Sequence, residues 1–200
     1  LIGYAPTCGV GVPETDSAKD IEAALKAPLI PRPGNTGHLW WIDPVYRGEY
    51  PERDLEELKE HMPSFPAGDF EIIKQPLDFC GINLYFSERY RGRTDGSPEL
   101  VPPTPNARLM VNNRPIYPEM LRWGPRFFSE RYGLPVVISE NGLATRDWVG
   151  LDGAVHDNHR IDYMARHLIE LRRAIQDGVP VAGYFHWSVM DNYEWSAGYP

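Results

Sequence analysis

Four short apolar runs without polar alternation punctuate the chain, at residues 1–7, 78–86, 135–140 and 180–188. Strands covered on both faces read this way, so four buried strands are predicted. Helical periodicity separates them. Over residues 158–177, Ile161, Met164, Leu168, Leu171 and Ile175 recur at spacings of three and four. Asp157 or Asn158 is placed to cap that helix, and Gly178 followed by Pro180 to end it. A second helix is predicted over 117–132, opened by Pro118 and closed by Gly133, with weaker helices near 17–26, 52–61 and 69–74.

Strand–helix alternation of this kind predicts parallel strands joined by crossover helices. The passage into the third strand, Gly133-Leu134-Pro135, is short. The segments leaving the strands are long instead: the proline-rich stretch 87–117 and residues 141–157. Polar and aromatic residues beyond strand C-termini are where α/β folds place their sites. No repeat or flexible linker interrupts residues 1–200, which read as one domain. Four strands do not close a barrel, and a (β/α)8 barrel needs ~250 residues. The expected architecture is therefore about half of something larger.

Composition narrows the classes. A hydrophobic fraction of 42% and an aromatic fraction of 12% describe a packed chain. A net charge of -8 argues against a nucleic-acid partner. No apolar run reaches the ~18 residues of a membrane helix. Leu1 is not a start residue and no signal-peptide pattern follows it, so any targeting segment is expected outside these residues. Cys8 and Cys80 sit in apolar runs and read as reduced, buried thiols, which suits a cytoplasmic location.

The chemistry gathers at strand ends. Val136, Val137 and Ile138 lead into Ser139, Glu140, Asn141 and Gly142, presenting a carboxylate at a glycine turn. Asn83 and Tyr85 stand two residues apart, on the same side of a strand. The final stretch sets Trp187, Asp191, Asn192, Tyr193, Glu194 and Trp195 just past the last strand. Flat aromatic faces beside carboxylates suit a pyranose, whose C–H face stacks on indole while its hydroxyls seek charged acceptors. The Gly-x-Gly of Cys8–Glu14 lacks a third glycine and reads as a plain turn. His156 and His159 read as solvated groups with no further ligand in register, and no metal or cofactor is expected. There is no Gly-x-Ser-x-Gly elbow.

"ISENG", "DFCGINLYF" and "HWSVMDNYEWSAGY" resemble the characteristic segments of β-glucosidases of glycoside hydrolase family 1. "DSAKDIEAAL", "WWIDPVYRGEYP", "IKQPLDFCGIN" and "RIDYMARHLIELRRAIQDGV" extend the resemblance over essentially the whole chain. It implies a (β/α)8 TIM barrel of which this chain supplies roughly strands five to eight. It implies that Glu140 is the nucleophile, that Tyr85 hydrogen-bonds it, and that Asn83 lies near the pocket. Trp187 matches a platform under the sugar, Glu194 a grip on the 4- and 6-hydroxyls, and Trp195 a donor to the 3-hydroxyl. Asp191 and Asn192 read as loop-shaping. Trp148 and the 87–117 segment are candidates for the leaving-group side.

The Glu194-Trp195 pair implies an unphosphorylated β-D-glucoside or cello-oligosaccharide, with galactosides or fucosides close behind. Retaining hydrolysis needs two carboxylates ~5–5.5 Å apart. The Asn-Glu-Pro segment that carries the acid in the family does not occur here, so the acid is expected upstream of Leu1, in a missing N-terminal half of the barrel. The fragment alone is then expected to be inactive. Other readings are a different retaining (β/α)8 glycosidase such as an endoglucanase, a thioglucosidase, and a sugar-binding or defunct fragment.

Overall fold

A computed structural model describes residues 1–29, 37–195 and 198–199. Six strands form one sheet: β1 (Gly3–Tyr4), β2 (Thr7–Pro13), β3 (Phe79–Gly92), β4 (Pro98–Val101), β5 (Val136–Asn141) and β6 (Val181–His186). β1, β2 and β5 pair parallel with β3, and β6 pairs parallel with β5. The predicted parallel strands and their crossover helices are present.

Several boundaries differ from the sequence reading. The first predicted run divides into β1 and β2, and β2 continues to Pro13, so Gly9 and Gly11 lie within a strand rather than in a turn. Gly11 is there for closeness: a Cβ on it would lie 2.3 Å from the Ala24 carbonyl oxygen. β3 runs six residues past its predicted end, and β4 returns antiparallel along it. The 87–117 segment thus opens as a hairpin. Its turn uses Gly96 at a φ of 79° and Asp95, whose carboxylate accepts from the Ser97 amide at 2.9 Å.

The described residues form six α-helices: α1 (Ala18–Lys26), α2 (Leu39–Arg47), α3 (Glu52–Leu58), α4 (Asp69–Ile73), α5 (Met120–Tyr132) and α6 (Asn158–Gln176). Ser17 caps α1 by accepting from the Asp20 amide at 3.2 Å. The Asp20 carboxylate accepts from Thr15 Oγ1 at 2.6 Å and from the Gly92 amide at 2.9 Å, pinning α1 to the end of β3. These donors, the Thr15 hydroxyl foremost, hold its pKa below the usual carboxylate range.

α2 was not predicted. Pro44 sits inside it and removes a backbone donor, which masks the helical pattern. It is held from outside: buried Asp43 accepts from Arg131 Nε at 2.9 Å and from Tyr132 Oη at 2.7 Å, both on α5.

The core gathers Ile82 and Leu84 of β3, Val136 and Ile138 of β5, Ile42 of α2, and Met120, Leu121 and Phe128 of α5. Gly124 lets α5 approach, since a Cβ there would lie 2.7 Å from Leu84 Cδ2.

α6 has the predicted extent and a different buried face. Tyr163, His167, Glu170, Leu171 and Ala174 face inward, while Ile161, Leu168 and Ile175 are exposed. The periodic aliphatics mark a stripe at seven-residue spacing that no described element covers. Asp157 occupies the N-cap position without making a side-chain cap. Its carboxylate instead accepts from Arg160 at 2.7 Å.

Candidate active site

Two irregularities in strand register build the site. Cys8 of β2 stands opposite Leu84 of β3, but Gly9 stands opposite Phe86, so Tyr85 is an extra residue. Ile138 of β5 stands opposite Ile82, but Glu140 stands opposite Asn83, so Ser139 is extra there. The odd steps matter because side chains alternate faces along a strand. Ile82, Leu84, Val136 and Ile138 go to the core, while Asn83, Tyr85, Ser139 and Glu140 gather on the other face.

There Tyr85 Oη donates to Glu140 Oε2 at 2.7 Å, and Ser139 Oγ donates to Asn83 Oδ1 at 2.7 Å. The Tyr85 phenol is pushed well above its ordinary pKa, first by burial, then by the bond to Glu140 and the negative charges of Glu140 and Glu194. It therefore stays protonated and donates. The result is a half-buried carboxylate held by one neutral donor, a suitable posture for a nucleophile.

Asn141, next in the chain, is fully buried and fully bonded. Its Nδ2 donates to the Leu84 carbonyl at 2.7 Å and to Tyr163 Oη at 3.1 Å, and its Oδ1 accepts from Tyr184 Oη at 3.1 Å. It ties β5 to β3, α6 and β6 one residue from Glu140. The sequence reading passed over it. Plain alternation puts residue 141 on the pocket face with Ser139, and only the extra residue turns it inward, so the sequence held no signal for it.

The loop after β6 is anchored at the same place. The Trp187 amide donates to the Asn141 carbonyl at 2.9 Å, and the Trp187–Ser188 peptide is cis. Gly142 leaves room for that loop, since a Cβ there would lie 1.8 Å from the Trp187 carbonyl oxygen. Trp187 is 45% exposed and Trp195 94% exposed. Glu194 is half-buried and forms an antiparallel bridge with Gly198. Asn192 Nδ2 donates to Ser188 Oγ at 2.9 Å, within the loop. Ser196 and Ala197 of the last sequence motif lie outside the described residues.

Asn83, Tyr85 and Glu140 are thus brought together, with Trp187 tied to the neighbouring backbone and Glu194 close enough for its charge to act on Tyr85. Trp148, at 81% exposed, stands in solvent, and His156 bonds Asp152 on the surface. Among the described residues no group of three metal-ligating side chains converges, and no helix is long and apolar enough to cross a membrane. Cys8 and Cys80 are buried free thiols, and burial pushes the Cys80 pKa up to about 12.

Known proteins resemble the chain over nearly its whole length. The 1,4-β-D-glucan glucohydrolase of Thermotoga neapolitana is 40% identical over 199 residues, which are 99% of this chain and 46% of that protein. β-Glucosidase A of Acetivibrio thermocellus is 39% identical, with 99% of this chain and 44% of that protein covered. The solved family 1 β-glucosidase of Thermotoga maritima, in complex with isofagomine lactam, superimposes with a TM-score of 0.76 at 34% identity. The match covers 98% of this chain and 43% of that one. The chain spans less than half the length of the curated relatives it matches, and its parallel sheet is under half of their (β/α)8 barrel. With residues 2–200 matching its sequence profile, the chain belongs to glycosyl hydrolase family 1.

Proposed function

We propose that the full-length protein is a retaining β-glucosidase acting on terminal, unphosphorylated β-D-glucosides, with Glu140 as its nucleophile. The observation that carries this is the 2.7 Å bond from the Tyr85 phenol to the Glu140 carboxylate. One oxygen of Glu140 is held, and the carboxylate stands at a strand end, one residue from the Asn141 carbonyl that anchors the Trp187 backbone. In the reaction, Glu140 attacks the anomeric carbon while an acid protonates the departing glycosidic oxygen. The glycosyl–enzyme ester then yields to water, which the same group, now a base, deprotonates.

That acid is assigned to chain N-terminal to Leu1. The reading is supported by the chain's span of under half its relatives and by the absence of an Asn-Glu-Pro segment. The resemblance gives Glu194 a sugar-binding role, with Trp187 and Trp195, rather than the acid's role. The name of the T. neapolitana relative, a glucan glucohydrolase, and the T. maritima complexes with sugar-like inhibitors such as glucoimidazole favour glucosides or cello-oligosaccharides as substrates.

The test is covalent trapping. A 2-deoxy-2-fluoro-β-glucoside with a good leaving group slows hydrolysis of the ester, so the full-length protein should accumulate one label. Peptide mass spectrometry should place it on Glu140, and Glu140→Gln should abolish it. A label on another carboxylate, or hydrolysis with inversion, would overturn the assignment.

A further inference from the structure

A cleft of about 590 Å³ opens along the C-terminal parts of β2 and β3, and Phe86, the neighbour of Tyr85 in the chain, lines it. Strand register fixes which face it shares. Thr7 stands opposite Asn83 and Gly9 opposite Phe86, and Thr7 and Gly9 lie on one side of β2. Phe86 therefore points to the same side as Asn83, because Tyr85 is the extra residue between them. The cleft wall begins one residue from the group that holds Glu140.

Its lining is aromatic with one well-placed cation. The Phe86 ring meets the His38 ring at 5.7 Å on one side. The Arg114 guanidinium lies over the same ring, 4.0 Å from its centroid. Trp41 adds a further indole wall. Arg114 is not on a loose tether. It belongs to a tight hairpin in which the Met110 amide donates to the Arg114 carbonyl at 2.8 Å, with Asn113 in the left-handed region at a φ of 62°.

Stacking on Phe86 occupies the flat face of the guanidinium and leaves its edge donors free. Among the described residues Arg114 pairs with no carboxylate. His38 contributes no second positive charge near neutrality: burial, and to a lesser degree Arg114 itself, push its pKa down. Glu88 is the described carboxylate of this cleft, and it lies farther along β3, accepting from Tyr90 Oη at 2.8 Å. At the Phe86 end of the cleft, next to Tyr85 in the chain, the lining is thus an aromatic wall edged by a guanidinium.

We infer that Arg114, stacked on Phe86, selects leaving groups that pair an aromatic ring with a carboxylate, making aryl-carboxylate β-glucosides preferred substrates. This deepens the proposed function and rests on it. The ring would lie against the walls formed by Phe86 and Trp41, and the carboxylate would accept from the free edge of the guanidinium. A planar fork is suited to that bond.

The experiment compares 4-carboxyphenyl and 4-carbamoylphenyl β-D-glucosides, which differ chiefly in charge, on the full-length protein and its Arg114→Gln and Arg114→Glu variants. The readout is the ratio of kcat/KM for the acid to that for the amide. Intrinsic leaving-group differences cancel between proteins, and general loosening of the hairpin lowers both terms alike. The ratio should fall about five-fold in Arg114→Gln, the scale of a solvent-accessible ion pair. It should fall further in Arg114→Glu, and the parent's ratio should decline with added salt. A ratio unchanged within two-fold in both variants overturns the inference while leaving the glucosidase reading standing. If the parent hydrolyses neither glucoside, that reading fails and this one falls with it.

Discussion

One hydroxyl does most to define the site: Tyr85 donates to Glu140 and, being half-buried near the charges of Glu140 and Glu194, does not ionise. In the full-length protein, Tyr85→Phe removes the donor and keeps the ring. A hydrogen bond to a charged group contributes about 1.5–3 kcal/mol, so kcat should fall roughly ten- to a hundred-fold. Thermal unfolding should barely move, and an equal loss of stability would recast Tyr85 as a packing residue. Glu140 stood out in the sequence as a carboxylate ending an aliphatic strand and Tyr85 by its spacing from Asn83, and the family resemblance supplied the link between them. Asn141 did not stand out, although its three side-chain bonds fix the backbone next to Glu140. A buried amide becomes visible only when its partners, here on β3, α6 and β6, are known. Arg114 escaped for a similar reason: its meaning lies in the ring beneath it, 28 positions away in the chain.

Among elements, the strands and the long helices were readable and the exceptions have specific causes. Pro44 hid α2, and Gly9 and Gly11 disguised the second half of β2 as a turn. The Asp-Gly pair before Ser97 was an available hairpin signal for β3 and β4. The aliphatic period of α6 gave its length correctly and its buried face wrongly, since polar His167 and Glu170 face inward.

Two expected outcomes follow at this scale. Asp43→Asn leaves Arg131 charged without its partner, and breaking such a buried pair costs about 3–5 kcal/mol; urea unfolding should register the loss as detachment of α2 from α5. His167 is fully buried, and burial lowers its pKa from 6.5 to about 4. The unfolded chain binds its proton below about 6.5, whereas the fold resists it until about 4. The contribution is therefore complete above pH 6.5 and is lost as pH falls toward 4, by about 3 kcal/mol in all. His167→Gln should flatten the stability decline between pH 6.5 and 4. An unchanged slope would show that other groups govern it.

The whole molecule has two open sides. Among the described strands, β6 pairs only with β5 and the edge formed by β1 and β2 only with β3. Phe185, Val189 and Met190 at the β6 end are exposed, as is the Ile161–Leu168–Ile175 stripe of α6. Unpaired edges beside apolar surface promote association. Residues 1–200 expressed alone should elute as concentration-dependent oligomers and show no turnover of an aryl β-glucoside. A stable monomer that turns over would refute both the open-edge reading and the assignment of the acid upstream. The register shift at Ser139 has one more implication, for how the site withstands a change in strand length. Ser139 is the surplus residue, so excising it would restore plain alternation and leave Glu140 opposite Asn83 on the pocket face, at the cost of the Ser139–Asn83 bond. A codon lost at a paired position of β5 would instead turn the following side chains over, so the strand tolerates shortening only at its bulge.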